Sequence, residues 1–395
     1  MGKINGFKLA RDLAPITHLQ FADDLFIFAQ ANEENMNQIK VCLDTFEKWS
    51  GQKVNFFKSV IIFSKNMSQA YKRRLANLIG INVSNKKEKY LGLPMVSGRE
   101  KKVAVEEIIE KVKQRLQGWK MKTLSQAGRT TLISSVAAAM PSYQASSLLL
   151  PKKVCEKLDA LNKNFRWGCS DEKNHRFYLK SWDSICTPKA LGGLGIKKTE
   201  DMNRALVAKL TWEVASNAEK LWVKMFQKKY VRGKNFMKMP MPKSISWSSQ
   251  SIFGCRDVVK KGLCHKIRSV WNTWILDDPW VPEDSYFTPK VKSGVVPTEH
   301  LVANLINQDS CQWDRGKLVE LFILESVNRI LGIHLSHQAS QDQIFWCLSP
   351  SGEFTVKLAY NILRSVAQVP HQHLNSKDWK DIWKLKANVR LKHLL

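Results

Sequence analysis

Apolar positions change their period several times along the chain. Ile16-Thr17-His18-Leu19-Gln20-Phe21 and Leu25-Phe26-Ile27-Phe28 are rich in β-branched and aromatic residues, with Ala22-Asp23-Asp24 between them, a pattern that predicts a tight hairpin. Met36, Ile39, Leu43 and Phe46 then recur at helical spacing, and Gly51 is placed to end the helix. Val54 to Phe63 returns to strand composition, interrupted by Lys58-Ser59. From about 99 to 235 the period is helical. Val105, Ile108, Val112 and Leu116 form one stripe, and Ser125 to Met140 predicts a helix stopped by Pro141. Pro151 suits a first helical position ahead of Val154, Leu158, Leu161 and Phe165, and Met202, Leu206, Leu210 and Val214 mark a further helix. Leu191 to Ile196, with three glycines, reads as a turn. Residues 236 to about 300 are broken by Pro240, Pro242, Pro279, Pro282, Pro289 and Pro297 and read as a linker with short strands, while Gly352 to Val356 reads as a strand edge. The fold class is α+β, and no internal repeat is visible.

Composition narrows the partners. Over 395 residues, 62 Lys+Arg stand against 35 Asp+Glu, a net charge of +27 that favours polyanions because phosphate-bound cations release condensed counterions. A lysine-biased solvated surface is the plainer alternative. Residues 189–234 alone hold eleven Lys/Arg against four Asp/Glu. The 44% apolar content excludes a wholly disordered chain. The eight Cys are scattered, with no Cys-x-x-Cys, which reads as reduced thiols in the nucleus or cytoplasm. No apolar run is long enough for a membrane span, and the start lacks the apolar stretch of a signal peptide.

Phe21-Ala22-Asp23-Asp24 carries the sharpest chemistry. Two adjacent carboxylates at a hairpin tip repel each other unless a cation sits between them, and Mg²⁺ is a hard cation that takes oxygen ligands. Read alone, the tetrad is equally a polar turn. Its surroundings add to it. His18 to Leu25, Phe46 to Ser59, Tyr90-Leu91-Gly92-Leu93-Pro94, Trp119, Leu124-Ser125-Gln126-Ala127-Gly128-Arg129, Met140-Pro141-Ser142-Tyr143, Phe165-Arg166-Trp167-Gly168 and the run Cys186 to Ile196 together form a set of markers. With them the chain resembles the reverse transcriptase of LINE-type non-LTR retrotransposons, above all the lineage abundant in plant genomes.

The resemblance implies the C-terminal part of a polymerase palm over 1–95 and a mainly helical basic thumb and connection over 96–235. A linker with short strands over 236–340 and a partial reverse-transcriptase zinc-binding region over 341–395 would follow. It implies an RNA-directed DNA polymerase, a nucleotidyltransferase, with Mg²⁺ as cofactor and an RNA template and DNA primer as partners. Asp23 and Asp24 correspond to the family's metal-binding catalytic pair. Lys58 sits where a cation could neutralise or protonate the departing pyrophosphate. Lys120, Lys122 and Arg129 represent the basic face that would grip the template–primer backbone.

The chain also departs from the family. A third metal-binding Asp is expected on another palm strand well before the hairpin, and the upstream acid, Asp12, lacks that motif. The fingers are not recognised either, so a fragment inactive on its own is the expectation. Phe345-Trp346-Cys347 with Gly352 to Tyr360 resembles the start of the zinc-binding region, yet its cysteine pair does not follow, so no zinc is expected. Cys264-His265 and His371-Gln372-His373 read as isolated thiols and imidazoles. The alternatives are a non-catalytic basic RNA- or DNA-binding protein derived from such an element, and an inert product of its decay.

Overall fold

The computed structural model describes residues 4–9, 13–64, 66–83, 89–90, 93–94, 101–117, 123–168, 178–267, 273–282, 287–295, 300–307, 310–335, 343–365 and 376–386. The chain is mixed α and β, about half helical, with five two-stranded sheets among the described residues. It divides into two compact units, one of Met1–Ala104 with Lys220–Lys234 and one of Val105–Glu219 with Asn235–Leu395.

In the first unit, β1 (His18–Phe21) and β2 (Asp24–Ile27) pair antiparallel, with His18 opposite Ile27 and Phe21 opposite Asp24. The helix α1 (Glu33–Ser50) begins where the Asn32 side chain accepts the Asn35 N–H at 2.8 Å, with Glu33 and Glu34 beside the positive end of the dipole. It ends at Gly51, which takes the left-handed conformation at φ 71°. Met36 and Ile39 are buried with Leu75 and Ile79 of α2 (Gln69–Ile79), Leu43 packs against them half-buried, and Phe46, the last position of the predicted stripe, is exposed.

The strand predicted over Val54–Phe63 shrinks to β3 (Val60–Ile61), which pairs parallel with β4 (Asn82–Val83). Asn55 accounts for the loss. Its carbonyl accepts the N–H groups of Lys58 and Ser59 at 3.1 and 3.0 Å, and its side chain also accepts from Lys58, so the chain turns where a ladder would need it straight.

In the second unit, the stripe Val105, Ile108, Val112 and Leu116 of α3 (Lys101–Leu116) is buried as predicted. The helix predicted from Ser125 to Met140 starts with Ser125 as its cap but is α only over Gln126–Leu132. It widens to a π-turn over Ile133–Ala137, where the Ala138 N–H reaches the Ile133 carbonyl at 2.8 Å. The helix Lys152–Trp167 buries Val154, Leu158 and Phe165 and ends on Gly168 at φ 75°.

The helix Thr199–Ala215 departs from its predicted face. Of the predicted stripe, Val214 is buried but Met202, Leu206 and Leu210 are only half-buried, while Ala205, Val207, Ala208 and Thr211 are fully buried. Helices 152–167, 247–254, 256–260 and 356–365 all pack on it, and small residues let several neighbours approach at once. Asn203 anchors this helix. It donates to the carbonyls of Ala145 and Leu148, each at 2.7 Å, and accepts the Leu150 N–H at 2.8 Å.

Asp159, also buried, accepts the Thr199 N–H at 3.2 Å and the Thr199 hydroxyl at 2.6 Å. Burial raises its carboxyl above the ordinary 3.8, against the lowering effect of the Thr199 hydrogen bonds. Since the folded pKa lies above the unfolded one, the stabilisation is complete below 3.8 and is lost as pH rises through the folded value. Asp159→Asn should therefore flatten the decline in urea midpoint on that limb; an unchanged slope would exclude Asp159 as its source.

Residues 236–340, expected to be a linker with short strands, include a packed core. Ile267, Ile275, Trp280, Val281, Val302, Leu305, Leu318, Phe322, Val327 and Ile330 are buried together between short elements. Prolines there punctuate elements too short to show a period. Gly352–Val356 is likewise no strand. The Thr355 hydroxyl accepts the Leu358 N–H and its carbonyl accepts from Ala359, opening the helix Val356–Ser365. The strand lies earlier, at Gln343–Trp346, paired antiparallel with Leu263–Lys266.

Candidate functional site

Asp23 and Asp24 sit at the tip of the β1–β2 hairpin. Phe21 pairs with Asp24, so Ala22 and Asp23 form a two-residue loop, and Ala22 takes φ 50°. That conformation costs a non-glycine residue roughly 1–2 kcal/mol, and such strain concentrates where a turn must hold a functional geometry. Both carboxylates are exposed. The register puts Asp24 on the same face as Leu19, Phe21 and Phe26, while Ile27, on the other face, packs toward the core of Met36 and Ile39. On that face Leu19 and Phe21 are exposed and Phe26 is half-buried.

The donor chemistry suits a hard cation, but the donor number does not. Mg²⁺ demands near-octahedral oxygen coordination. Among the described residues no group of three His, Cys, Asp or Glu side chains could hold a metal ion. The described residues alone do not supply the ligand set of the Mg²⁺ centre that the resemblance implies. Lys58 is exposed on the Asn55–Ser59 turn, a separate element from the hairpin. Lys120 and Lys122 lie outside the described residues.

Arg129 is half-buried on the helix Gln126–Leu132, not displayed on an open face. Its guanidinium lies against Gly168, where a Cβ would collide with Nη1, so the bare left-handed glycine both ends one helix and seats the arginine of another. Beside it is Arg166, which the sequence offers only as part of the marker Phe165-Arg166-Trp167-Gly168. Arg166 is 2% exposed, hydrogen-bonds the Gln126 side chain through Nη1 and lies 5.4 Å from the Trp167 ring centroid. Burial, and after it the charge of Arg129, lowers its pKa. Two guanidinium groups side by side create a local positive field that an anion would relieve. The i, i+3 and i+4 spacing within each helix gives no hint of this pairing, which arises between helices.

Elsewhere charges neutralise one another. Arg364 lies 3.4 Å from both Asp183 and Asp201, and Lys198 binds Asp183 at 2.5 Å. The hydrogen bond from Lys198 holds the Asp183 carboxyl below its ordinary value. No helix among the described residues is long and apolar enough to cross a membrane.

No protein-family profile matches the chain. Two Arabidopsis thaliana proteins are similar to it. One, provisionally named a ribonuclease H protein, is 32% identical over 314 residues, which cover 77% of this chain and 49% of that protein. The other, an uncharacterized mitochondrial protein, is 25% identical over 152 residues, covering 38% of this chain and 98% of that protein. The chain thus spans about half the length of the first relative and nearly all of the second.

Proposed function

We propose that this chain is the palm-hairpin and thumb portion of a reverse transcriptase of the LINE-type non-LTR class. In this reading it holds an RNA template and DNA primer through basic helices, and the described residues do not by themselves build a polymerase centre. The observation that carries the reading is the hairpin itself: adjacent carboxylates at a strained two-residue tip, within a run of residues that resembles the family on either side. The first relative's name, which refers to ribonuclease H, supports a nucleic-acid partner. The charge of +27 and the basic stretch 189–234 support the same partner. They equally favour a second reading, a non-catalytic RNA- or DNA-binding protein derived from such an element.

Primer extension on an RNA template with Mg²⁺ should give no product from this chain. Synthesis that Asp23→Asn abolishes would overturn the incomplete-centre reading. Binding to a template–primer duplex should persist in Asp23→Asn and fall steeply with salt. Neutralising six to ten phosphates corresponds to a loss on the order of 10³ to 10⁵ in affinity between about 50 and 200 mM salt. A flat salt dependence, or no binding at low salt, would remove both readings.

A further inference from the structure

The basic stretch 189–234 is one run in the sequence, but the fold divides it. Residues up to Glu219 belong to the second unit, while Lys220–Lys234 returns to the first, the unit of the Asp23–Asp24 hairpin. That segment holds Lys220, Lys224, Lys228, Lys229, Arg232 and Lys234 and no acid. It forms an α-helix, Leu221–Phe226, that widens to a π-turn over Gln227–Val231. Val223, Phe226 and Val231 are buried, and all of these cations are exposed. The apolar positions anchor the segment and leave its charged face to solvent.

Helix electrostatics do not account for this face. Lys228 and Lys229 lie in the last turn, where cations offset the negative end of the dipole. Lys220 does the reverse. It occupies the N-terminal cap, with no capping side-chain bond and no acid in the first turn. At the other end Arg232 takes φ 52°, a left-handed conformation that glycine adopts without strain and arginine does not. Its Nε donates to the Lys229 carbonyl at 3.2 Å, which folds the guanidinium back over the helix end. Gly233 follows at φ 77° with open space around it, and the Lys229 ammonium lies 5.2 Å from the Tyr230 ring centroid. Both ends of the helix thus carry cations where local stability disfavours them, as expected of a surface kept for a ligand. Among the described residues Lys224, Lys229, Arg232 and Lys234 have no carboxylate partner.

Resting on the nucleic-acid reading above, we propose that Lys220–Lys234 is the surface on which this chain seats a nucleic-acid backbone, with Lys224, Lys229, Arg232 and Lys234 as its phosphate contacts. Lys220 and Lys224 are about 6 Å apart along the helix axis. The cations are therefore spread along a line, which suits a chain of phosphates better than a single anion. Arg232 keeps Nε on the helix and offers the rest of its guanidinium fork to a phosphate. Contacts of this kind position a strand and carry no base information, so the surface takes RNA or DNA of any sequence.

The test compares two triple variants of the full chain on a fluorescein-labelled RNA–DNA duplex over a series of salt concentrations. Lys224→Gln, Lys229→Gln and Lys234→Gln together remove three charges from the proposed face. Lys152→Gln, Lys153→Gln and Lys157→Gln together remove three from the exposed side of another helix. Each lost phosphate contact lowers the slope of log affinity against log salt by about 1. The first variant should lose about 3 from that slope and bind more weakly at low salt, while the second keeps the parent slope to within about 1. Arg232→Gly, which relieves the left-handed strain, should bind more weakly with no fall in thermal midpoint. Equal losses in the two triple variants would show that overall charge holds the nucleic acid, overturning the proposal and leaving the nucleic-acid reading intact. No binding by the unaltered chain would remove that reading and the proposal with it. Loss of affinity confined to phosphatidylserine vesicles would assign the face to a membrane surface and likewise overturn the proposal.

Discussion

Asn203→Leu should lower the unfolding free energy of the second unit by about 3–5 kcal/mol. Asn203 is 2% exposed and its amide serves three backbone groups, the carbonyls of Ala145 and Leu148 and the N–H of Leu150. Leucine has a similar volume and removes all three bonds. Each buried backbone group left unpaired costs about 1–3 kcal/mol, and the segment has no regular ladder to absorb the loss. Asn203→Asp separates the contributions, since a carboxylate still accepts from Leu150 but cannot donate to either carbonyl. Urea unfolding followed by circular dichroism would read the change. A midpoint for Asn203→Leu within about 0.5 kcal/mol of the parent would mean that the 145–150 segment does not depend on this anchor.

Trp346→Ala should be comparably severe, about 3–5 kcal/mol, the range for emptying an aromatic core site. Trp346 is 0% exposed. Its ring meets Trp212 edge-on at 5.6 Å and Phe354 at 4.8 Å between centroids. Gly262 lies so close that a Cβ there would come within 2.8 Å of the indole. One ring thus joins the strand Gln343–Trp346, the helix Thr199–Ala215 and the loop before Val356. Trp346→Phe, which keeps part of the edge contacts, should lose clearly less. Equal losses for the alanine and phenylalanine variants would show that a phenyl-sized ring recovers none of these contacts and would overturn the expected ranking.

Much of the helical architecture was legible because a helix with one buried face writes its period into the chain. The stripe on α3 and the stop at Gly51 follow from spacing and from one residue type with access to positive φ. Legibility fails where more than one partner acts. The helix Thr199–Ala215 is buried from several sides, so its apolar stripe does not mark its most buried positions. The core of 267–330 is assembled from elements too short to repeat. Asn55 diverts a strand-rich segment into a turn by a side-chain bond that composition does not reveal. The candidate site divides in the same way. The Asp23–Asp24 tip is local, and its sequence reads directly. The Arg129–Arg166 pair joins residues distant in the chain, and only folding brings them together.

The π-turn at Ile133–Ala137 has a bearing on how this chain is aligned with others. A π-turn holds one residue more than the α-turn it replaces, and each residue advances an α-helix by about 100°. A homologue one position shorter between Leu132 and Pro141 would carry an uninterrupted α-helix there. The gap in its alignment would then mark a change of helical phase in a segment that packs Ile133 and Ala137 into the core, not the trimming of a surface loop.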